Sequence, residues 1–424
     1  MTEICSLNCL FWLSAAFIIG YITIVFEHGA RVNKAATAIL MAIICWSIVS
    51  VCGPQEGLLG SLHYHFEQVS EIVIFLLGAM AIVELVDSHK GFAIITDVIV
   101  TRSRKKLLFF ICLITFFLSS VLDNLTTTIV MISLLRKLVE DKEERMLLGG
   151  MVVIAANAGG AWTPIGDVTT TMLWINGQIS TIGIMKSLFL PSVVAIGIPL
   201  IIMSFFTTKK ALPAIAVKTA DVPPYSRLIF WCGIGSLIFV PIFKLLTGLP
   251  PFMGIMLGLG FMWLITDIIH AEAAEKREHL RVHHILSKID ISGVLFFLGI
   301  LLAVGSLEVA GVLKGIALWF DQHLASHAAV ACVIGLFSAI VDNVPLVAAT
   351  MGMYPLSAFP QDAPLWEMIA YAAGTGGSIL IIGSAAGVAF MGMEKIRFGW
   401  YLKKISFVAL LGYLGGFLTY LAFA

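Results

Sequence analysis

Long apolar stretches recur along almost the whole chain and are separated by short polar segments. A membrane-spanning helix needs about 20 predominantly apolar residues. Stretches of about that size lie at 8–26, 35–52, 69–87, 146–176, 183–206, 226–247, 250–270, 289–309, 365–392 and 400–423. The glycine clusters within 146–176 and 365–392 interrupt a regular helix. The pattern predicts an all-α polytopic membrane protein with about ten spans, two of them discontinuous.

Two further apolar stretches do not fit a simple crossing. The first, 107–135, has basic residues at both ends and is shorter than the roughly 40 residues that two crossings need. A single crossing would place basic clusters on both sides of the membrane, against the positive-inside rule. We therefore predict a re-entrant helical hairpin at about 105–139 that enters from the cytoplasm. A second hairpin, at about 328–354, is predicted to enter from outside, because it has no basic residue at either end.

The positions of the basic residues predict the orientation of the chain. With the N-terminus outside and the spans alternating, all but three of the 26 Lys and Arg residues fall on the cytoplasmic side. The three exceptions are Lys186, Lys244 and Lys314. The opposite orientation would invert this distribution and violate the positive-inside rule.

Composition agrees with lipid as the solvent of this chain. Hydrophobic residues make up 59% and charged residues 12%, whereas a soluble domain has about 25% charged residues. The formal net charge is zero, so no overall field favours a nucleic-acid partner. The seven cysteines show no CxxC spacing, and neither a disulfide nor a bound cofactor is expected. Motifs of the HExxH and GxSxG type are absent, so we predict that the protein is not an enzyme.

An internal repeat relates the two halves of the chain. The segment from Ser119 to Thr126 (SSVLDNLT) is similar to the segment from Ser338 to Pro345 (SAIVDNVP), at an offset of 219 positions. The glycine-rich segments that follow, at about 155–166 and 372–383, match at an offset of 217 positions. Because one predicted hairpin opens inward and the other outward, the halves are predicted to be inverted repeats, 1–206 and 226–424, joined by a cytoplasmic linker at 207–225. Inverted repeats with discontinuous helices are typical of secondary transporters, whose sites lie at the repeat interface.

Carboxylates inside the membrane are the first candidates for chemistry, because an ionised side chain at the centre of a span costs about 2.5–3.5 kcal/mol on insertion scales. Asp123 and Asp342 lie at the predicted tips of the two hairpins, and Asn124 and Asn343 follow them. A hard cation such as Na⁺ favours carboxylate and carbonyl oxygens as ligands. We therefore predict Na⁺ binding at these four residues.

The glycine-rich breaks are expected to contribute further ligands. A broken helix exposes carbonyl oxygens, which a membrane tolerates only where they face protein, water or an ion. The residues predicted to break the helices are Gly159, Gly160, Pro164, Gly376 and Gly377. The polar side chains at these breaks that are predicted to bind the ion are Asn157, Thr163, Thr375 and Ser378.

Five acids are candidates for proton coupling: Asp123, Asp342, Asp167, Glu84 and Glu308. Asp167 follows the first break, where capping of the next helical segment is an alternative role. The two glutamates lie near predicted membrane edges, close in sequence to Lys90 and Lys314, where ion pairing is an alternative. The second break has no acid at the position of Asp167, so the two halves are related but not chemically equal.

Two long segments resemble the NhaD-type sodium/proton antiporters: Ser119 to Met131 (SSVLDNLTTTIVM) and Asn157 to Met172 (NAGGAWTPIGDVTTTM). These antiporters belong to the ion-transporter superfamily, which also contains arsenite permeases and dicarboxylate carriers, and the resemblance covers essentially the whole chain. It implies a scaffold domain and a transport domain that moves like an elevator, usually in a homodimer. It also implies exchange of Na⁺ or Li⁺ for H⁺. Dicarboxylate carriers of the superfamily have Ser-Asn-Thr at the hairpin tips, whereas the Asp-Asn tips of this chain suit a cation and would repel a carboxylate.

These observations together predict a secondary transporter that exchanges Na⁺ and Li⁺ for H⁺ and contributes to sodium and pH homeostasis. A membrane-buried aspartate that is protonated at acidic pH and ionised at alkaline pH would bind either cation, and alternating access would carry whichever is bound. A metalloid or organic-anion permease on the same fold is the alternative. The expected location is a bacterial inner membrane, with an organellar membrane as the other option.

Overall fold

The computed structural model of the chain describes residues 7–25, 32–52, 57–94, 103–206, 223–270, 280, 282–324 and 326–423. These residues form nineteen helices and no strand. The prediction of an all-α polytopic protein is thereby confirmed. The linker predicted at 207–225 lies almost entirely outside the described residues, and residues 271–279 lie outside them as well.

The described residues up to 206 form eight helices: α1 (Leu7–Val25), α2 (Lys34–Cys52), α3 (Leu58–Ser88), α4 (Arg104–Ser119), α5 (Asn124–Leu138), α6 (Lys142–Gly160), α7 (Val168–Ile175) and α8 (Thr181–Phe206). Eleven follow: α9 (Ser226–Thr247), α10 (Pro251–His270), α11 (Val282–Leu286), α12 (Ile291–Val309), α13 (Val312–His323), α14 (His327–Phe337), α15 (Asn343–Met353), α16 (Pro364–Gly376), α17 (Ala385–Glu394), α18 (Phe398–Lys404) and α19 (Ser406–Phe423). Among them, α2, α3, α8, α9, α10, α12 and α19 are long and apolar enough to cross a membrane.

Most helices begin and end within a few residues of the predicted positions, with three differences. Helix α3 begins at Leu58, well before the predicted start at 69, because its first turns contain polar residues that an apolar window rejects. The predicted last span, 400–423, is divided into α18 and α19. Helices α11 and α13 were not predicted, since α11 has only five residues and α13 is amphipathic rather than continuously apolar.

The two segments predicted as hairpins are pairs of helices joined by short turns. Helices α4 and α5 are joined at residues 120–123, and α14 and α15 at residues 338–342. Both predicted helix breaks are also present, between α6 and α7 and between α16 and α17. At each of these four points an oxygen-bearing side chain accepts a hydrogen bond from the backbone of the next helix. These capping residues are Asp123, Asp342, Asp167 and Ser384.

The helices can be described as two groups, which meet where α12 packs on α15 and α3 packs on α7. In the first group α4 packs on α6 and α14 on α16, while α5 crosses to α17 and α15 crosses to α7. Helices α8 and α19 pack on each other and on this group. In the second group α1 packs on α2, α9 on α10, α2 on α12 and α3 on both α10 and α12. We call the first group the crossed-helix body and the second the outer-helix body.

Matching contacts hold each broken helix against its neighbouring turn. Ser119 Oγ donates to the carbonyl oxygen of Ala156 at 2.6 Å, and Ser338 Oγ donates to that of Ala373 at 2.8 Å. A Cβ atom at Gly159 would collide with the carbonyl oxygen of Phe116, and one at Gly376 would collide with that of Gly335. Glycine is therefore required at both positions for the helices to approach this closely.

A buried ion cluster ties the ends of three helices of the crossed-helix body. Arg136 Nε and Arg145 Nε lie 2.7 Å and 2.9 Å from the two carboxylate oxygens of Glu394. The Glu394 side chain is only 2% exposed. Arg136 also donates to the carbonyl oxygen of Met393. The cluster joins the ends of α5 and α17 to the start of α6.

Candidate ion-binding site

Asp167 lies at the break between α6 and α7 and is 1% exposed. Its Oδ1 accepts hydrogen bonds from the backbone N of Thr169 at 2.9 Å and from Thr169 Oγ1 at 3.0 Å. The N-terminus of a helix carries unpaired N–H groups and a partial positive charge, both of which favour a carboxylate. The alternative capping role that the sequence suggested for Asp167 is thus confirmed, but it uses only one of the two oxygens.

The other carboxylate oxygen of Asp167 faces the tips of both turn-linked helix pairs. Oδ2 accepts a hydrogen bond from Asn124 Nδ2 at 2.6 Å. Asn343 Nδ2 lies 3.4 Å from both Oδ1 and Oδ2. One buried carboxylate is therefore bonded by two predicted ligands that come from opposite halves of the chain.

Asn157 extends this network across the second break. Its Oδ1 accepts a hydrogen bond from Asn124 Nδ2 at 3.0 Å, and its Nδ2 donates to Ser384 Oγ at 3.0 Å. All of these side chains are buried. We refer to Asn124, Asn157, Asp167, Asn343 and Ser384 as the Asp167 cluster. Ser384 was not among the predicted ligands, although the repeat offset places it opposite Asp167.

Asp123 and Asp342 lie beside the Asp167 cluster, and both are half-buried. Asp123 accepts hydrogen bonds from the backbone N of Thr126 at 2.7 Å and from Thr126 Oγ1 at 2.8 Å. Asp342 Oδ1 accepts from the backbone N of Val344 at 3.2 Å. Both carboxylates interact electrostatically with Asp167. They therefore add negative potential to the site while their hydrogen bonds cap α5 and α15.

The three predicted hydroxyl ligands bond to the backbone. Thr163 Oγ1 donates to the carbonyl oxygen of Ser120 at 2.7 Å and ties the first break to the first turn. Thr375 Oγ1 donates to the carbonyl oxygen of Tyr371 at 2.6 Å, and Ser378 Oγ donates to that of Thr375 at 2.5 Å. Within the described ranges, no hydrogen bond joins any of the three to the Asp167 cluster.

The two glutamates lie apart from the Asp167 cluster. Glu84 Oε1 accepts from Ser88 Oγ at 3.1 Å, and Ser88 Oγ also accepts from Lys288 Nζ at 3.0 Å. Glu308 lines a cavity of about 240 Å³ between α3, α7, α12 and α15, together with Glu71 and Gln68. Neither glutamate is hydrogen-bonded to the cluster in the part of the chain that the structure describes.

The chemistry of the cluster suits a hard, singly charged cation. It offers one carboxylate, three amide groups and one hydroxyl, all of which can present oxygen as a ligand. No group of three or more His, Cys, Asp or Glu side chains that could hold a metal ion occurs among the described residues. Each Asn side chain can present either its N–H or its oxygen after a half-turn of the amide, so the same residues can bond an anionic Asp167 or a cation beside it.

Comparison with known proteins shows the family of this chain. The model of a family described as "Citrate transporter" matches residues 21–374. The chain belongs to this transporter family. Sodium/proton antiporter 1 of Arabidopsis thaliana is 56% identical over 97% of this chain and 72% of its own length. Sodium/proton antiporter 2 of the same plant is 53% identical over 97% of this chain and 99% of its own length. The Na⁺/H⁺ antiporter NhaD of Vibrio cholerae is 29% identical over 94% and 88%.

Membership of this family confirms two sequence predictions. The resemblance to the NhaD-type antiporters holds over nearly the whole chain, since the Vibrio cholerae protein aligns with 94% of it. The prediction of a transporter rather than an enzyme is confirmed by the family and by the relatives' names. The family description and the names refer to different substrates, so the choice between citrate and Na⁺/H⁺ rests on the chemistry of the site.

Proposed function

We propose that this protein exchanges Na⁺ for H⁺ across a membrane, and that Asp167 is the carboxylate that binds either cation. The observation that carries the proposal is the buried Asp167 carboxylate, bonded by Asn124 and Asn343 from the two tips. The relatives that are more than half identical to this chain are named sodium/proton antiporters. A buried carboxylate in a transporter of this family has a direct use as the binding group for a cation or a proton.

Competition for one carboxylate would couple the two ions. At acidic pH Asp167 holds a proton, and at alkaline pH it is ionised and attracts Na⁺. Rotation of the Asn124 and Asn343 amides would turn their oxygens toward the Na⁺ ion, replacing the N–H groups that bond the carboxylate in the cation-free site. Asp123 and Asp342 would strengthen the attraction through their charge, and direct contact with Na⁺ at these residues remains part of the proposal.

We further propose that the two halves, 1–206 and 226–424, are inverted repeats, each with a re-entrant hairpin and a discontinuous helix. Support comes from the same order of elements in both halves: α4 to α8 and α14 to α19 each contain a turn-linked pair, a broken helix and a terminal apolar helix. The crosswise packing of α5 on α17 and of α15 on α7 is what a two-fold relation between the halves would produce. The matched hydrogen bonds of Ser119 and Ser338 add to this support.

The crossed-helix body would then be the mobile transport domain and the outer-helix body the scaffold, in a homodimer. We propose that Li⁺ is carried as well as Na⁺, because both are small hard cations that oxygen ligands suit. The physiological role would be sodium and pH homeostasis, in a bacterial inner membrane or an organellar membrane. The organellar membrane is part of this proposal because the chain is more similar to the plant relatives than to the bacterial NhaD.

An organic-anion permease is the second candidate, favoured by the "Citrate transporter" description of the family. Its difficulty is charge. Citrate carries several negative charges at neutral pH, and at this site Asp167 already interacts electrostatically with Asp123 and Asp342. Like charges in a low-dielectric interior repel strongly.

The two candidates are separated by transport in proteoliposomes that contain a pH-sensitive dye. With an acidic interior, external NaCl or LiCl should make the interior alkaline between about pH 7 and 9, because deprotonation of the carboxylate at alkaline pH leaves it free to bind the cation. KCl and choline chloride serve as controls, and citrate uptake is measured in the same vesicles. Asp167→Asn should abolish the Na⁺ response while the protein stays inserted, and Asp123→Asn should weaken it. No response of folded wild-type protein to any cation, together with citrate uptake, would overturn the proposal.

A further inference from the structure

Two buried hydroxyl groups near the Asp167 cluster have no structural role in the contacts described so far. Thr127 and Thr128 are both 0% exposed. Across the described ranges, neither Oγ1 has a hydrogen-bond partner. A buried polar group without a partner destabilises a folded protein, so such groups in a native structure call for an explanation.

Three other buried threonines, each inside a helix, satisfy their hydroxyls within that helix. Thr115 donates to the carbonyl oxygen of Ile111 at 2.6 Å, Thr266 to that of Met262 at 2.9 Å and Thr350 to that of Leu346 at 2.8 Å. Each of these bonds reaches back four residues along the helix, a bond that helical threonine readily makes. Thr127 and Thr128 do not make the corresponding bonds. Helix geometry therefore leaves both oxygens available for another partner.

The position of the two threonines on α5 indicates where that partner lies. They follow Asn124 by three and four residues, so all three side chains lie on one face of the helix. Asn124 is the residue that bonds both Asp167 and Asn157. The two hydroxyls are thus one helical turn along α5 from the residue that bonds the Asp167 carboxylate.

Apolar residues close this face of α5 beyond the two hydroxyls. Met131 and Ile132 come next on the same face, and both are 0% exposed. Ile132 and Phe390 of α17 lie against Gly149 of α6. Thr127 and Thr128 therefore form the last polar layer between the Asp167 cluster and packed apolar side chains.

We propose that the hydroxyl oxygens of Thr127 and Thr128 are ligands for the alkali cation that the Asp167 cluster binds. The inference rests on the proposed Na⁺/H⁺ exchange and extends its ligand set. A hydroxyl oxygen has two lone pairs and is a neutral, hard ligand. It replaces a water of the ion's hydration shell without adding charge to a site that already has three aspartates. The loaded site would thus satisfy two oxygens that have no partner in the described residues.

The second half of the chain offers no equivalent pair, which makes the ligand set one-sided. The repeat offset places Leu346 and Val347 opposite Thr127 and Thr128. The cation would therefore sit closer to α5 than to α15 and contact the second half mainly through Asn343.

The test replaces each hydroxyl by a methyl group of the same shape, in Thr127→Val, Thr128→Val and the double variant. The Na⁺ concentration that gives half-maximal exchange should rise several-fold in each single variant and more than about tenfold in the double variant. Thr127→Ser and Thr128→Ser keep the hydroxyl and should remain near the wild-type value. NaCl should raise the thermal unfolding temperature of purified wild-type protein, because a ligand that binds only the folded state stabilises it. This shift should be smaller in the double variant.

Thr115→Val is the matched control. Thr115 lies on the neighbouring helix α4, and its buried hydroxyl already donates to the carbonyl oxygen of Ile111. It should lower stability and leave the half-saturating Na⁺ concentration unchanged. Valine at 127 and 128 should instead leave the Na⁺-free protein as stable as the wild type or more so, since it removes polar groups without partners. An unchanged Na⁺ requirement in the stable double variant would overturn the inference. A wild-type protein that does not respond to Na⁺ would instead overturn the proposed exchange itself.

Discussion

The two turn-linked helix pairs begin alike and then diverge. Asp123-Asn124 is followed by Leu-Thr-Thr-Thr, whereas Asp342-Asn343 is followed by Val-Pro-Leu-Val. In both, the aspartate caps the helix and the asparagine reaches Asp167. Only in the first pair does the next helical turn bring two buried hydroxyls, those of Thr127 and Thr128, whereas the second pair has Leu346 and Val347 there. The comparison separates what the backbone of a tip requires, a capping oxygen, from what the proposed cation would require, further oxygen ligands.

The two helix breaks differ in the same way. Asp167 caps α7, and Ser384 caps α17 at the matching position. Asn157 in the first break is matched by Gly374 in the second. A hydroxyl is as good a cap as a carboxylate, so the backbone role is shared while the charge is not. Two carboxylates in direct contact at the centre would repel each other when both are ionised, and a single central one avoids this cost.

The strongest test of this asymmetry compares Asp167→Asn with Ser384→Ala. Asp167→Asn keeps the shape and the cap but removes the negative charge, so exchange should fall more than about 100-fold, as expected when the group that binds the cargo is lost. Ser384→Ala removes a cap and one bond to Asn157, a loss of about 1 kcal/mol, and exchange should fall only a few-fold. The initial rate of the dye response to NaCl measures both.

Equal losses in these two variants would contradict the view that the first half carries the charge. Protein levels in the membrane and elution of a single peak in detergent serve as the folding control. If only Ser384→Ala were inactive, the second break would be the centre of the site, and Asp167 would be a cap alone.

The glycines at the close approaches test the part that the halves share. A Cβ atom at Gly159 or Gly376 would collide with a backbone carbonyl oxygen in the same way in both halves. Gly159→Ala and Gly376→Ala should therefore each lower the free energy of unfolding by about 1–3 kcal/mol, as other overpacked cores do. Thermal unfolding in detergent measures the loss.

Gly197→Ala in α8 is the matched control, since an added Cβ would meet no atom within 4 Å. It should be neutral or stabilising by up to about 1 kcal/mol, because alanine is the better helix former. A large effect at Gly159 with none at Gly376 would mean that the second break is packed loosely and that the structural equivalence of the halves is incomplete.

The sequence predicts the elements of this fold better than the contacts of its site. The turn-linked pair predicted at 105–139 occupies Arg104 to Leu138, because basic residues and a length limit define it. The breaks were predicted because clustered glycine and proline cannot continue a helix. The sequence left Asp167 between a capping and a coupling role, since its bond to Asn343 joins residues 176 positions apart. Such a contact depends on how the two halves pack, and no local pattern encodes it.

The far ends of the two broken helices differ in what holds them, and this yields the mildest prediction. The end of α17 is held inside the crossed-helix body, where Glu394 pairs with Arg136 and Arg145. The end of α7 is held by the outer-helix body. Lys244 Nζ of α9 donates to the carbonyl oxygen of Trp174 at 2.7 Å and lies 4.4 Å from the centre of its ring. Of these two contacts, the Lys244 contact joins the two bodies and would break if they moved relative to each other, whereas the Glu394 pairs lie within one body.

Lys244→Gln should therefore shift the conformational equilibrium, whereas Glu394→Gln should only lower stability. A half-exposed, charge-assisted bond contributes about 1 kcal/mol, which changes a two-state population about five-fold. Ala348→Cys, in the wall of the 240 Å³ cavity between the two bodies, reports this population through its rate of thiol labelling once the native cysteines are replaced. Lys244→Gln should slow labelling about five-fold, because it weakens the conformation in which this cavity is open.

Glu394→Gln should lower the unfolding temperature and leave the labelling rate unchanged. Equal labelling in both variants would mean that α7 and α9 stay together during transport, so the boundary between the moving and the fixed body would have to lie elsewhere.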